Sequence, residues 1–217
     1  MPSFMEFVPA PGVLATYTLA CFVLFITPGP DMSLFLAKTI TGGRRAGLLA
    51  MLGTMAGCCI HTVLAAIGVS ALLAASETAF MVLKIVGAGY LLWLAVDAVR
   101  HGSALRLRDT GRQELSAWRT FLLGFGVNLT NPKIVLFFVT FLPQFVNPGN
   151  ANAAGQLLFL GLYFVVFSTP LAALLVLGAE RTIGILTRHP RVMRGIDYTF
   201  AGVFGIFALR IATMPGR

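Results

Sequence analysis

The stretch Thr27-Pro28-Gly29-Pro30-Asp31 decides how the chain is read. It interrupts an apolar run that begins at Val13 and resumes from Met32 to Ala37. Proline lacks the amide N–H and its ring clashes with the preceding turn, so two prolines around a glycine stop a helix here. A carboxylate within such a run is costly in lipid and marks a partner or a pathway. In the second half of the chain the pattern returns as Asn128-Leu129-Thr130-Asn131-Pro132-Lys133, again within a long apolar run, now with a positive charge. Interrupted hydrophobic segments at corresponding places in two halves point to a transporter's binding site.

Composition sets the surroundings. Of 217 residues, 57% are hydrophobic and 11% charged, with a mean hydropathy of +0.85. Soluble domains carry about a quarter charged residues, and apolar stretches beyond ~18 residues span bilayers. The reading is an all-α integral membrane protein, because an open chain in lipid satisfies its backbone only as helices. A net charge of +8 would suggest nucleic acid in a soluble protein. Here it fits the basic bias of cytoplasmic loops, and no aromatic–basic alternation offers a base-stacking surface, so no nucleic-acid partner is expected. Cys21, Cys58 and Cys59 sit in apolar segments without a CxxC spacing and are taken as packing thiols. No Lys or Arg precedes the first apolar segment, so a retained span is expected there rather than a signal peptide.

Six spans can be drawn: 13–37 broken at 27–31, one within 46–76, 79–97 carrying Lys84, 120–142 with Lys133 as its only charge, one within 151–179 with a bend at Pro170, and 196–213. At 1.5 Å per residue, ~20 residues cross a ~30 Å hydrocarbon core. The first, third and fifth loops hold twelve of the sixteen Lys and Arg, Lys38, Arg44 and Arg45 among them. The opposite side holds only Lys84, Arg210 and Arg217. That asymmetry puts the three loops in the cytoplasm and both termini in the periplasm. Pro30-Asp31 aligns with Pro132-Lys133, Gly47 and Gly53 with Gly155 and Gly161, and Gly87 with Gly202, at offsets of 102, 108 and 115. Three spans per half is an odd number, so matched halves have opposite orientation, which is an inverted-topology repeat. The expected organisation is one transporter domain over 1–217, with halves 1–98 and 119–217 joined by a basic cytoplasmic linker, 99–118.

Asn131-Pro132 has the order of an N-cap followed by a first helical residue, and Gly29-Pro30 serves the same purpose less strongly. Each interruption then starts a half-helix whose free N–H groups and positive dipole end favour a carboxylate. Prolines that merely kink packed helices are the plainer alternative. Asp31 and Lys133 are the only charges deep in the spans. A helical ruler leaves ~8 Å between their backbones along the membrane normal, within side-chain reach. They either neutralise each other or bind the two charged ends of a substrate, with Asp31 also able to carry a coupling proton. His61, alone in a charge-free span, is a packing residue or a proton relay. Thr27 and Asn128 complete the candidate substrate and coupling set of Thr27, Gly29, Pro30, Asp31, His61, Asn128, Asn131, Pro132 and Lys133. No metal cluster, nucleotide loop, cofactor motif or nucleophile–base set is visible.

Thr27-Pro28-Gly29-Pro30-Asp31, Gly42-Gly43-Arg44-Arg45-Ala46-Gly47, Gly87-Ala88-Gly89-Tyr90-Leu91, Asn131-Pro132-Lys133 and Phe141-Leu142-Pro143-Gln144-Phe145 together resemble the LysE/RhtB family of amino-acid exporters, over nearly the whole chain. The resemblance implies a secondary transporter in the bacterial inner membrane that exports amino acids such as lysine, homoserine, threonine or leucine, driven by the proton motive force. Its partners would be an amino acid, protons and the lipid bilayer, with a homo-oligomer left open. The competing class is a membrane-embedded redox or hydrolytic enzyme on a similar helical scaffold. The second half contains no cysteine, which disfavours the redox version.

Overall fold

The computed structural model describes residues 7–101, 115–146 and 152–212. The core of the expected basic linker, with Arg106, Arg108 and Arg112, lies outside the described residues, as does Arg217. Among the described residues all regular structure is helical.

The first helix, α1 (Pro11–Ile26), starts with a proline, where the missing N–H has no partner to lose. It ends just ahead of Thr27-Pro28. Helix α2 (Pro30–Leu64) opens with Gly29 at its N-cap and Asp31 in its first turn. Its helical geometry is interrupted at Gly43, at φ 76° and ψ 175°, a conformation that glycine adopts without a Cβ clash. Residues 30–42 and 44–64 are therefore two legs joined by a glycine. A π-helical turn at Ala65–Val69 carries the second leg into α3 (Ser70–Ala75). Helix α4 (Glu77–His101) follows after Ser76, whose Oγ accepts from the Ala79 amide at 3.1 Å.

The second half begins with α5 (Ala117–Leu129), capped by Ser116. After Thr130 and Asn131 the chain resumes as α6 (Pro132–Leu136), then a π-helical segment Phe137–Phe141 and a 3-10 turn Leu142–Phe145. Helix α7 (Ala153–Leu177) contains Pro170, and α8 (Ala179–Arg188) and α9 (Pro190–Ala212) complete the described chain.

Three helical stretches are long and apolar enough to cross a membrane, Pro30–Leu72, Ala153–Leu177 and Arg191–Leu209. The pair Ala117–Leu129 and Pro132–Phe145, bent by 53°, makes a fourth when taken as one span. Among the described residues, then, three or four of the six stretches drawn from the sequence meet the length and composition of a span, and Pro11–Ile26 is a shorter apolar helix. The 16-residue α1 is short because the chain leaves the helix at Thr27. Lys38, grouped with a cytoplasmic loop on sequence alone, lies within the first leg of α2 and is buried. Asp197 on α9 is also buried, although only Asp31 and Lys133 stand out in the sequence as deep charges.

Helix α2 packs mainly on α5 and α7, and α4 on α9. The α2–α5 approach depends on glycine. A Cβ at Gly53 would lie 2.1 Å from the Phe121 carbonyl oxygen, and one at Gly124 would lie 2.1 Å from that of Ala50. Such small residues let helix backbones touch in a membrane, where water does not drive them together. An aromatic cluster backs the α6 segment: Phe137 and Phe164 meet at a tilt with centroids 5.0 Å apart, and Phe141 and Phe204 likewise at 4.9 Å. Tyr17 ties α1 to α7 by donating its hydroxyl to the Leu160 carbonyl at 3.0 Å.

Candidate functional site

The α1–α2 junction and the α5–α6 junction meet. Lys133, at the second position of α6, reaches across and donates from Nζ to the Thr27 carbonyl at 2.7 Å and the Leu24 carbonyl at 3.2 Å. These are the last carbonyls of α1, which have no helical N–H of their own to accept. A cation there also meets the negative end of the α1 dipole. Gly29 makes the passage possible: a Cβ at that position would stand 3.1 Å from Lys133 Nζ and 3.2 Å from Cε. Thr27 is buried and turns its own hydroxyl back to the Val23 carbonyl at 2.8 Å.

Asp31 sits at the opposite pole, in the first turn of α2, where the dipole is positive. Its Oδ2 accepts from Asn128 Nδ2 at 2.6 Å. Its Oδ1 is shielded from solvent and has no hydrogen-bond partner in the protein. Asn128, fully buried near the end of α5, also reaches Cys58 Sγ at 3.4 Å, and its backbone carbonyl faces His61 Nε2 at 3.4 Å. His61 in turn stacks on Phe138 with centroids 5.7 Å apart. Asn131 precedes α6 and accepts the Lys133 amide at 3.1 Å through Oδ1, while its buried Nδ2 has no partner.

Asp31 and Lys133 line one cavity of about 40 Å³ without hydrogen-bonding each other. Ser168 and Cys58 also line it, and Phe35 and Phe164 are among its apolar residues. A buried water needs about 10–15 Å³ of such space, so the cavity has room for about three.

Seven of the nine residues singled out from the sequence thus belong to one connected cluster: Thr27, Gly29, Asp31, His61, Asn128, Asn131 and Lys133. Pro30 and Pro132 start the two legs, but both residues are exposed and neither lines the cavity. Two polar lining residues escaped the sequence reading. Cys58 looked like packing, although it lies one helical turn before His61 and so shares its face. Ser168 is a single serine in a charge-free helix and carries no signal by itself.

The chemistry offered is dipolar. An ammonium group has three N–H donors, and Lys133 commits two to α1, leaving one. Asp31 keeps one carboxylate oxygen unpaired. The same cavity therefore presents one anionic acceptor and one cationic donor.

Similarity to known proteins gives the family. The family model described as LysE type translocator matches residues 22–215. The chain belongs to that family. It is 31% identical to the homoserine/homoserine lactone efflux protein of Salmonella typhimurium over 91% of this chain and 94% of that one. It is also 31% identical to a leucine efflux protein of Klebsiella pneumoniae, covering 94% and 97% of the two chains. An uncharacterized membrane protein of Vibrio cholerae is 31% identical, with coverage of 93% and 97%. No solved structure matches the chain. The translocator family, the apolar helices and a relative described as a membrane protein agree that the chain is a membrane protein.

Proposed function

We propose that this LysE-type translocator is a secondary exporter of amino acids or related small metabolites across the bacterial inner membrane, driven by the proton motive force. The observation that carries the reading is that one cavity is lined by both Asp31, whose Oδ1 has no hydrogen-bond partner, and Lys133, with one N–H beyond the two given to carbonyls. A zwitterionic amino acid complements both, its ammonium group at Asp31 and its carboxylate at Lys133. The relatives described as efflux proteins for homoserine and for leucine support that substrate class.

In this mechanism neither charge is left bare in lipid, because each has a helix end and a polar neighbour before the substrate arrives. Asn128 holds Asp31 in place, and His61 steadies Asn128 through its carbonyl. Release leaves Asp31 free to take a proton from outside, which couples outward transport to proton entry. A cavity with room for about three waters is smaller than an amino acid, so loading requires it to widen. Gly43 and the π-helical turns at Ala65–Val69 and Phe137–Phe141 are the places where the helices depart from regular geometry, and π-turns recur at functional hinges.

The proposed frame is an inverted repeat of three spans per half. Its support is the parallel order of elements. In each half an interrupted helix with a proline-started second leg comes first, followed by a long apolar helix and a final long helix. Halves 1–98 and 119–217 then form one transporter unit, with both termini periplasmic and the basic loops cytoplasmic.

The deciding experiment preloads cells with a panel of labelled amino acids and follows retention with and without the protein, and with a protonophore. The expected result is faster loss of at least one amino acid only when the protein is present, abolished by the protonophore. Equal retention across the whole panel would overturn export, and loss that ignores the protonophore would overturn proton coupling.

A further inference from the structure

Once Asp31 and Lys133 are assigned to the charged ends of a substrate, one polar group on the cavity wall remains unused. Ser168, in the middle of α7, is 1% exposed, and its Oγ has no hydrogen-bond partner in the protein. Neighbouring hydroxyls behave differently. Thr62, Thr140 and Thr169 each donate to the carbonyl one turn back in their own helix, at 2.7 to 2.8 Å. Ser168 has the Phe164 carbonyl in the same relation, one turn back along α7, and does not use it. Ser168 is also one of the residues lining the cavity that carries Asp31 and Lys133. The fourth polar lining residue, Cys58, already accepts from Asn128.

We propose that Ser168 is a specificity-determining residue whose hydroxyl hydrogen-bonds a neutral polar group, a hydroxyl, on the side chain of the transported amino acid. The inference rests on the export reading above. Among the described residues Asp31 and Lys133 are the charged side chains that line the cavity, an arrangement that suits a substrate with a neutral side chain. The remaining walls are apolar and soft, with Leu24, Phe25 and Met55 among them, so that side chain is otherwise hydrocarbon. An apolar pocket discriminates poorly against an added hydroxyl, whereas a site that hydrogen-bonds a hydroxyl disfavours the analogue lacking it, because its own group is then buried unpaired. The relatives described as homoserine and leucine efflux proteins differ in this respect, one substrate bearing a hydroxyl and the other none. Ser168 places this chain with the hydroxyl-bearing class.

Threonine and valine are nearly isosteric and differ by one hydroxyl, which makes them the probe. The full chain is reconstituted in proteoliposomes, and counterflow of labelled threonine and labelled valine is measured for the wild type, Ser168→Ala and Ser168→Cys. The wild type should favour threonine by at least about tenfold, equivalent to about 1.4 kcal/mol. Both variants should bring the threonine-to-valine ratio close to one. If only one variant is recovered folded, its ratio decides. A wild-type ratio near one, an unchanged ratio in the variants, or loss of both substrates in both variants would overturn the role of Ser168. Equal transport of threonine and valine by the wild type removes only this inference. A wild type that moves none of a full amino-acid panel removes the export reading and this inference with it.

Discussion

Replacing Gly57 with alanine tests whether the polar cluster is positioned by packing or only occupies available space. A Cβ at Gly57 would lie 2.4 Å from Asn128 Oδ1 and 2.9 Å from Asn128 Cγ. Ordinary contact begins near 3.4 Å, so the Asn128 amide must retreat by about 1 Å. That retreat would stretch the 2.6 Å bond from Asn128 to Asp31 to about 3.6 Å, where it no longer counts as a hydrogen bond. Losing a hydrogen bond to a charged acceptor costs about 1.5–3 kcal/mol. If the loss falls on the transport step, export slows by roughly 10- to 150-fold, since about 1.4 kcal/mol is tenfold. Asn128 Cβ, 2.9 Å away and fixed to the α5 backbone, must give by a few tenths of an ångström as well, so abundance should fall somewhat but less than in Gly53→Ala. Gly53→Ala faces the Phe121 backbone oxygen at 2.1 Å, which cannot move aside, and should lower abundance further. Gly126→Ala, on the same helix as Asn128, meets nothing within 4 Å and serves as the neutral control. The assay pairs the initial export rate with the amount of protein in the membrane. Gly57→Ala at normal abundance with wild-type export would refute the claim that Asn128 must hold Asp31.

Asp31→Asn and Lys133→Met should each abolish export, because each removes one of the two charges that meet the ends of the substrate; the double variant should remain inactive, and full export by it at normal protein level would refute the substrate role of both charges. Gly43→Ala and Gly43→Asn each force a side chain into a positive-φ, extended-ψ conformation that essentially only glycine adopts, at about 1–3 kcal/mol, and both should reduce membrane abundance as read by quantitative immunoblot; wild-type abundance of both would refute a conformational need for glycine there. A reporter active only in the cytoplasm should be silent when fused at the C-terminus and active when inserted near Arg108; strong C-terminal activity would refute the outward-ended topology.

Much of the site was legible because proline and buried charge are both costly in a membrane helix. Asn131-Pro132 marks the start of α6 by local chemistry alone, an acceptor side chain followed by a residue that needs no N–H partner. The deep positions of Asp31 and Lys133 stood out for the same reason, since lipid leaves few motives for keeping them. What stayed hidden depends on which way a side chain turns. Ser168 differs from Thr169 next to it only in failing to bond back to its own helix, and no residue pattern records that. The sequence shows a Gly42-Gly43 pair, but not that the second glycine alone takes a positive φ and folds the first leg of α2 against the second. Lys38 reads as a loop residue because two glycines follow it closely, whereas it is buried within the helix before the Gly43 turn.

The way the two charges are held bears on how such a cavity can work. Had Asp31 and Lys133 formed a direct ion pair, a substrate would have to separate them, at the cost of exposing two buried charges to a low-dielectric wall. Instead Lys133 rests on the carbonyl end of α1 and Asp31 on the amide end of α2, each also bonded to uncharged groups. Helix ends contribute only about 0.3–2 kcal/mol to such a charge. That is enough to orient a side chain and too little to saturate it. Each charge therefore retains most of its attraction for an opposite charge arriving in the cavity. The interruptions at Thr27–Gly29 and Thr130–Asn131 create those helix ends in mid-chain and bring them within reach of each other. The helix breaks and the dipolar cavity are thus one feature: without the prolines there would be no free carbonyls for Lys133 and no first turn for Asp31, and the two charges would have only each other.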